Sequence, residues 1–211
     1  MNYISKEDLK GFDRLYRANL INSCSGYKSA NLIGTLSAKG VENIGTFSSV
    51  THLGSDPALL GFILRPPTVP RHTYENILKS KYYTINHIAE SFLSEAHHCS
   101  AKYAEDISEF DKTGLTPKYR NDWPAPFVAE SPVQIMMKYV EEIPVKVNGT
   151  ILMIGEIQGI YVKEEMLQDD GFLHLEVGDV ASINGLDAYA IPEIKKRFNY
   201  TRPDQPVTEM V

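Results

Sequence analysis

The sequence predicts a mainly β protein, an antiparallel barrel with helices inserted between its strands. Strand-like segments occupy residues 31–37, 43–50, 58–64, 82–88, 131–147 and 150–162. Ala38-Lys39-Gly40 connects the first two segments and Asn148-Gly149 connects the last two, and both connections have the composition of hairpin turns. Extended segments joined by hairpins and interrupted by helices indicate an antiparallel barrel decorated by helices.

Two of these strands carry further information about their surroundings. The nearly unbroken apolar run at 58–64 is too short to cross a bilayer and suits a strand covered on both faces. The last strand contains Gly155 and Gly159. Glycine inside a strand marks a bulge or the close approach of another group, so we expect one or the other at these two positions.

Three helices and one irregular segment are predicted between and around the strands. Ser5, followed by acidic residues, opens an N-terminal helix over about residues 5–20. A second helix covers 74–80, and a third covers 89–103, where apolar residues recur at a spacing of about 3.6. Residues 104–127 mix charged residues with glycine and prolines, which is typical of a long surface excursion.

Length and composition favour one soluble domain spanning residues 1–211, with a polar C-terminal tail over about 200–211. A net charge of -6 argues against a nucleic-acid surface, which would need a cationic face. We find no run of 18 apolar residues and no signal-peptide core, so we expect no membrane association and a cytoplasmic location.

The two cysteines, Cys24 and Cys99, fit a reducing compartment and lack the Cys-x-x-Cys spacing of a redox pair.

A possible anion site follows the apolar strand. The strand ends at Arg65, and a proline-rich loop then delivers Arg71, His72 and Thr73 to the start of the second helix. Helix starts expose unpaired N–H groups and carry partial positive charge. A guanidinium, an imidazole and a hydroxyl at such a place predict a phosphate site. The alternative is an ordinary capped turn with Thr73 as N-cap, although the capping-box acid or amide expected at position 76 is Asn76.

Hydroxyl residues interrupt the strand at 43–50. Ser48 and Ser49 lie in a segment that otherwise has the composition of a buried strand. Polar groups in a buried strand require hydrogen-bond partners, which a bound ligand or the protein itself can supply. The serine hydroxyls and backbone N–H groups are therefore candidate ligand-binding groups, with a satisfied strand interior as the alternative.

Taken in order, these segments resemble the flavin reductase-like proteins of the FMN-binding split-barrel fold. The resemblance covers about residues 26–203. It rests on Asn43 to Val50, Arg65-Pro66, Arg71-His72-Thr73 with Asn76-Ile77, Tyr83-Thr84-Ile85-Asn86, the segments 96–103 and 108–110, Glu130-Ser131-Pro132-Val133, and Ile154-Gly155-Glu156-Ile157.

The resemblance implies an antiparallel split β-barrel and a homodimer that holds FMN, or FAD, near the subunit interface. It also implies hydride transfer from NADH or NADPH to the flavin, followed by electron transfer to a small-molecule or protein acceptor. The implied flavin-binding residues are Thr46, Phe47, Ser48, Ser49, Val50, Arg65, Arg71, His72, Thr73 and Asn76. Of these, 46–50 would follow the ribityl chain and ring, and Arg71 and Thr73 would meet the phosphate. No essential catalytic side chain is expected, since the cofactor carries the chemistry.

Two other functions stay open at this point. One is a flavin-binding electron carrier or flavin store without a nicotinamide site, because no Gly-x-Gly-x-x-Gly motif follows a strand. The other is an oxidase similar to pyridoxamine-phosphate oxidases.

Ser108-Glu109-Phe110 is expected to pack at the dimer contact. We expect no metal site at His97-His98-Cys99, because consecutive helical side chains point about 100° apart. Tyr82 and Tyr83 are core or interface residues, or stack on a flavin.

Overall fold

The computed structural model describes residues 1–210. Its helices are short, and its two longest strands lie in the second half of the chain. The helices are α1 (Lys6–Gly11), α2 (Arg14–Ser23), α3 (His72–Ser80), α4 (Leu93–His98) and α5 (Glu109–Thr113), with 3₁₀ turns at Glu90–Phe92, Glu164–Met166 and Leu175–Gly178. The strands are β1 (Lys28–Ser29), β2 (Asn31–Leu36), β3 (Glu42–Phe47), β4 (Thr51–Ser55), β5 (Ala58–Leu64), β6 (Tyr82–His87), β7 (Pro117–Lys118), β8 (Phe127–Val128), β9 (Val133–Val145), β10 (Thr150–Val162), β11 (Ser182–Asn184) and β12 (Ala188–Ala190).

Seven strands form one antiparallel sheet in the order β3-β2-β6-β9-β10-β5-β4. Its two edge strands, β3 and β4, follow each other in the chain and are joined only by residues 48–50. Such a link can span at most about 14 Å when fully extended. The sheet must therefore curl until its edges nearly meet, which gives a barrel that is open along the seam between β3 and β4.

Each face of the curled sheet buries its own hydrophobic cluster. Neighbouring residues of β2 illustrate the division, since Leu32 belongs to one cluster and Ile33 to the other. The cluster around Ile33 fills the barrel and includes Ile77 of α3, so this helix closes part of the interior. The cluster around Leu32 includes Phe92 and Phe110, which places the short helices outside the sheet. A small sheet, β1-β11-β12, lies beside the same outer cluster.

The helices differ in length from the sequence prediction. Ser5 does open the N-terminal helix through a capping box with Asp8, but the segment divides into α1 and α2 because Phe12 leaves the helical conformation and Asp13 caps a new helix. The helix predicted at 74–80 begins earlier, at His72. The helix predicted over 89–103 is only a 3₁₀ turn followed by α4.

The strands also show two differences and two agreements with the sequence prediction. β4 was not predicted, because Thr51-His52-Leu53-Gly54-Ser55 lacks a clear alternation of apolar and polar residues. β5 is not covered on both faces, since Ile63 is 38% exposed. The expected irregularities in β10 are confirmed, with register shifts at Gly155 and Gly159. The Asn148-Gly149 turn joins β9 to β10 as expected.

The segment 104–127 is largely exposed, as expected from sequence, but it contributes several buried residues. Ser108, Glu109 and Phe110 are all buried within this single chain, so they are covered without the dimer contact expected from sequence. The reason is that α5 covers the free edge of β3, where Glu109 Oε2 accepts a hydrogen bond from the Ile44 N–H at 3.1 Å. Within residues 1–210, no helix is both long and apolar enough to cross a membrane.

A partly buried histidine at the end of β6 should make the protein less stable in acid. Burial lowers the pKa of His87 to about 4, and its Nδ1 has no hydrogen-bond partner within residues 1–210. In the unfolded chain the same group titrates near pH 6.5, so the unfolded state binds more protons between these values. We therefore expect His87 to account for a loss of about 2 kcal/mol in the free energy of unfolding between about pH 7.5 and pH 5.

Urea unfolding of the wild type and of His87→Gln at both pH values measures this contribution. The other titrating groups are common to both proteins, so the difference between the two pH dependences isolates His87. The variant should lose less stability than the wild type on acidification. Equal losses would show that protons reach His87 in the folded protein.

Candidate functional site

The start of α3 presents hydrogen-bond donors without protein acceptors. Within residues 1–210, the backbone N–H groups of His72, Thr73 and Tyr74 have no hydrogen-bond partner, while the N–H of Arg71 donates to the Glu75 carboxylate at 3.2 Å. Arg71 is the N-cap and makes no capping hydrogen bond with its side chain. Free N–H groups at a helix start, together with the helix dipole, favour an anion.

The guanidinium of Arg71 stands at the same helix start and is only weakly engaged. Its Nη2 is 3.5 Å from the Pro66 carbonyl oxygen, at the limit of a hydrogen bond, and its buried Nε has no partner in the described chain. A buried donor without an acceptor is costly. An oxyanion placed beside Arg71 would remove that cost and gain a charge-assisted contact.

Thr73 and Asn76 fasten α3 to the sheet beneath it. The Thr73 hydroxyl accepts from Asn43 Nδ2 at 3.1 Å, and Asn76 Nδ2 donates to the Thr35 hydroxyl at 3.1 Å. Both residues are buried. The amide of Asn76 is therefore committed to the sheet, whereas Thr73 keeps its backbone N–H and its hydroxyl proton available to a ligand.

His72 and Glu109 lie close to each other at this helix start. Burial raises the pKa of the Glu109 carboxyl, while backbone hydrogen bonds, including the one from Ile44, and the nearby His72 oppose that shift. The Glu109 carboxyl accepts the hydrogen bond of the Ile44 N–H at the edge of β3 that has no neighbouring strand among the described residues. His72, the first residue of α3, is partly exposed.

The residues that end β3 are anchored through their side chains. Thr46 Oγ1 donates to the Ala96 carbonyl of α4 at 2.6 Å. The Phe47 ring meets the Phe62 ring edge-on, with centroids 5.1 Å apart, inside the barrel. The Thr46 hydroxyl proton is already used and Phe47 packs in the interior, so both side chains hold the strand that leads into residues 48–50.

Residues 48–50, which we call the seam loop, keep their own backbone donors free. Within residues 1–210, no acceptor pairs with the N–H groups of Ser48, Ser49 or Val50. The Ser49 hydroxyl bonds to the backbone of Ile63 in β5. It accepts a hydrogen bond from the Ile63 N–H at 3.0 Å and lies 3.3 Å from the Ile63 carbonyl oxygen. N–H groups without a protein acceptor at the seam are candidate donors to an electron-rich ligand edge.

The fold brings the seam loop and the start of α3 together. A Cβ on Gly45 of β3 would lie 3.3 Å from Thr73 Oγ1 and 3.2 Å from the Phe47 ring, so strand and helix start are in contact. Gly45 and Ser48 are three residues apart, about 10 Å along an extended chain. Arg65 lies two residues beyond Ile63, is exposed, and takes part in no hydrogen bond or ion pair of the described residues. One ligand with an anionic tail could contact both donor groups.

Over residues 26–177, the sequence matches the family described as flavin reductase like domain. The chain belongs to this family. The antiparallel split barrel predicted from the sequence is thereby confirmed as its fold, together with the predicted family resemblance.

Solved structures place the chain among flavin reductase-like proteins. A protein of Shewanella frigidimarina, provisionally described as a flavin reductase with split barrel domain, is 46% identical over 95% of this chain and 100% of its own, with a TM-score of 0.92. Nitrilotriacetate monooxygenase component B from Bacillus cereus is 17% identical over 93% and 98% of the two chains, with a TM-score of 0.82. The NADH:FAD oxidoreductase of Streptomyces globisporus is 10% identical over 92% and 99%, with a TM-score of 0.68. The last two share the fold.

Several residues considered from the sequence lie outside this flavin reductase-like site. Tyr83 is 1% exposed inside the barrel, and the Tyr82 ring packs edge-on against Trp123. His97 Nδ1 and the Tyr189 hydroxyl are 3.1 Å apart, and His98 bonds to the Tyr103 hydroxyl instead. The two histidines therefore face different partners.

The two cysteines should react very differently with thiol reagents. Both are free; Cys24 is exposed, and Cys99 is buried. Burial raises the pKa of Cys99 to about 12, so its reactive thiolate is scarce at neutral pH. We expect one rapidly reacting thiol per chain with an aromatic disulfide reagent, and none in Cys24→Ser. A second rapid thiol in the native protein would contradict the burial of Cys99.

Sequence reasoning missed Ser29 of β1, which contacts the seam loop, and Asn31 of β2, which contacts Ser29. The Ser29 hydroxyl donates to the Val50 carbonyl oxygen at 3.0 Å, and Asn31 Nδ2 donates to Ser29 Oγ at 3.0 Å. Nothing local in the sequence signals these bonds, since Ser29 and Val50 are separated by 21 positions. Only the strand pairing, which places Asn31 opposite Phe47, brings them together.

Proposed function

We propose that this protein is an NAD(P)H-dependent flavin oxidoreductase that binds FMN, with FAD as a second possible cofactor. The observation that carries the proposal is the proximity of two sets of N–H donors without protein acceptors, because Gly45 of β3, the strand that leads into the seam loop, contacts Thr73 at the start of α3 beside Arg71. Family membership and the 46% identical flavin reductase-like structure support the same function. The similarity in fold to an NADH:FAD oxidoreductase supports a nicotinamide as reductant.

The residues of this chain would bind and orient the cofactor. A bound flavin supplies the hydride-accepting chemistry when the nicotinamide is present. Arg71 and the N–H groups of His72 and Thr73 would hold the phosphate. The N–H groups of the seam loop would donate to the ring edge that becomes electron-rich on reduction, which favours the reduced form. No side chain at the site needs to exchange a proton with the substrate.

The proposal includes a homodimer with the site near its interface. No residue of α1 or α2 is buried in the single chain. Leu15 is 64% exposed, Tyr16 57% and Ile21 48%, which is more apolar surface than two short helices usually leave uncovered. A second copy of the chain would cover it. We also propose a cytoplasmic site of action and a small-molecule or protein acceptor for the electrons.

Rapid mixing of the flavin-loaded protein with NADH and, separately, NADPH tests the proposal. Loss of the flavin absorbance band within seconds by either nicotinamide is the expected result. Flavin that binds tightly but is not bleached by either would favour an electron carrier or flavin store. Release of hydrogen peroxide with an amine substrate would favour an oxidase. A protein that takes up neither FMN nor FAD would overturn the proposal at its first step.

A further inference from the structure

The seam loop is tied to the small sheet by a single hydroxyl. Ser29 lies on β1, which pairs with β11 and not with the seven-stranded sheet. Its Oγ donates to the Val50 carbonyl oxygen at 3.0 Å. The small sheet therefore contacts the loop that joins the two edges of the barrel.

Asn31 fixes the direction of that hydrogen bond. A serine hydroxyl has one proton and can also accept. Because Asn31 Nδ2 donates to Ser29 Oγ at 3.0 Å, the Ser29 proton is left for Val50. Asn31 is 1% exposed, and its Oδ1 has no partner within residues 1–210. A buried amide that is only half satisfied is costly, which is consistent with a role in orienting Ser29.

The loop is held on its other side by β5. The Ser49 side chain bonds to the Ile63 backbone, so Ser49 and the Val50 carbonyl are fixed by different strands. Between these two attachments, the N–H groups of residues 48–50 remain unpaired. Donors that are held in place before a ligand arrives bind it without a further cost of ordering.

We propose that Ser29 is a positioning residue for the flavin ring, oriented by Asn31, and that it holds the Val50 carbonyl so that the seam-loop N–H groups face the ring edge. This inference rests on the proposed function. It assigns Ser29 no contact with the phosphate, which is held at α3. The effect of Ser29 must therefore be the same for FMN and for riboflavin, which has the ring and ribityl chain but no phosphate.

Titration of the apoprotein with FMN and with riboflavin tests this inference. Ser29→Ala should weaken both ligands by about the same factor, roughly threefold to fivefold, as for loss of one neutral hydrogen bond. Ser29→Thr, which keeps the hydroxyl, should bind both as the wild type does. Ser25→Ala is a matched control, because the Ser25 hydroxyl donates to the Asn22 carbonyl oxygen on the preceding turn and does not contact the seam loop.

The midpoint potential of bound FMN gives a readout that a merely structural residue would not move. Donors at the ring edge favour the reduced flavin, so the potential of Ser29→Ala should be more negative than that of the wild type. If the variant loses ten times more affinity for reduced than for oxidised FMN, the midpoint potential of the bound flavin shifts by about 30 mV. If Ser29→Ala does not fold, Ser29→Cys keeps the volume with a weaker donor and is expected to shift both readouts in the same direction.

The outcomes separate this inference from the proposed function. A wild-type protein that binds no flavin overturns both. A wild type that binds FMN, together with a Ser29→Ala variant of unchanged affinity and potential, overturns only the role of Ser29. Weakening of FMN without weakening of riboflavin also overturns it, because that result would place Ser29 at the phosphate.

Discussion

Replacing Arg71 with alanine should weaken FMN binding by the apoprotein about tenfold and leave riboflavin binding nearly unchanged. Arg71 has a buried Nε without an acceptor and only a marginal contact from Nη2 to Pro66, so little in the free protein replaces a phosphate partner. Charge-assisted hydrogen bonds to phosphate are stronger than neutral ones. The expected loss is about 1.4 kcal/mol, which corresponds to a tenfold change in affinity.

Fluorescence titration of the apoprotein with the two flavins measures this difference. Lys79→Ala provides a matched control, since Lys79 is an exposed cation in the last turn of the same helix. It should leave both affinities close to wild type. Equal affinity of Arg71→Ala and wild type for FMN would show that the phosphate is bound elsewhere.

Replacing Gly155 with alanine should lower the free energy of unfolding by about 3 kcal/mol or prevent folding. A Cβ at this position would lie 2.1 Å from the Tyr83 hydroxyl oxygen, 2.9 Å from its ring carbon Cζ and 3.1 Å from the Lys138 carbonyl oxygen. Tyr83 is 1% exposed inside the barrel, where Phe62 packs edge-on against it. Overpacking of a filled interior costs about 1–3 kcal/mol and sometimes more.

Chemical unfolding of Gly155→Ala alone and combined with Tyr83→Phe tests the cause. Removing the hydroxyl removes the shortest contact, so the double variant should recover part of the loss, while the contact with Cζ remains. Gly11→Ala is the control, because a Cβ on Gly11 meets no atom within 4 Å. A double variant no more stable than Gly155→Ala would mean that the Tyr83 hydroxyl is not the group that opposes the side chain, which leaves the ring carbon Cζ and the Lys138 carbonyl.

Gly155 also bears on the candidate site. Tyr83 packs edge-on against Phe62, and Phe62 packs edge-on against Phe47, at centroid distances of 5.9 Å and 5.1 Å. Phe47 is the last residue before the seam loop. A displaced Tyr83 would therefore push along a row of rings toward the loop, so a folded Gly155→Ala protein is expected to bind flavin less tightly.

The elements with strong local signals were predictable from sequence. The Asn148-Gly149 turn, the irregularities at Gly155 and Gly159, and the helix start beside Arg71 each depend on residues close together in the chain. Turn chemistry and the lack of a glycine side chain act locally, so a single sequence reveals them.

The elements that depend on distant partners were not predictable. β4 shows only a weak alternation of apolar and polar residues, and it forms because it pairs with β5 across a short turn. Glu109 is charged and was expected on the surface, yet it is buried because it satisfies the free edge of β3. The contact from Ser29 to Val50 requires knowledge of which strands are neighbours. In each case, long-range pairing overrides the local preference.

If the proposed flavin site is correct, the seam between β3 and β4 would couple cofactor supply to the lifetime of the protein. A flavin bound there by the proposed contacts would connect both sides of the opening, and occupancy at about 100 times the dissociation constant would add about 2.7 kcal/mol against unfolding. The empty protein would open along the seam more often and expose its interior to proteases. Cellular levels of the protein would then follow flavin availability without any dedicated regulator.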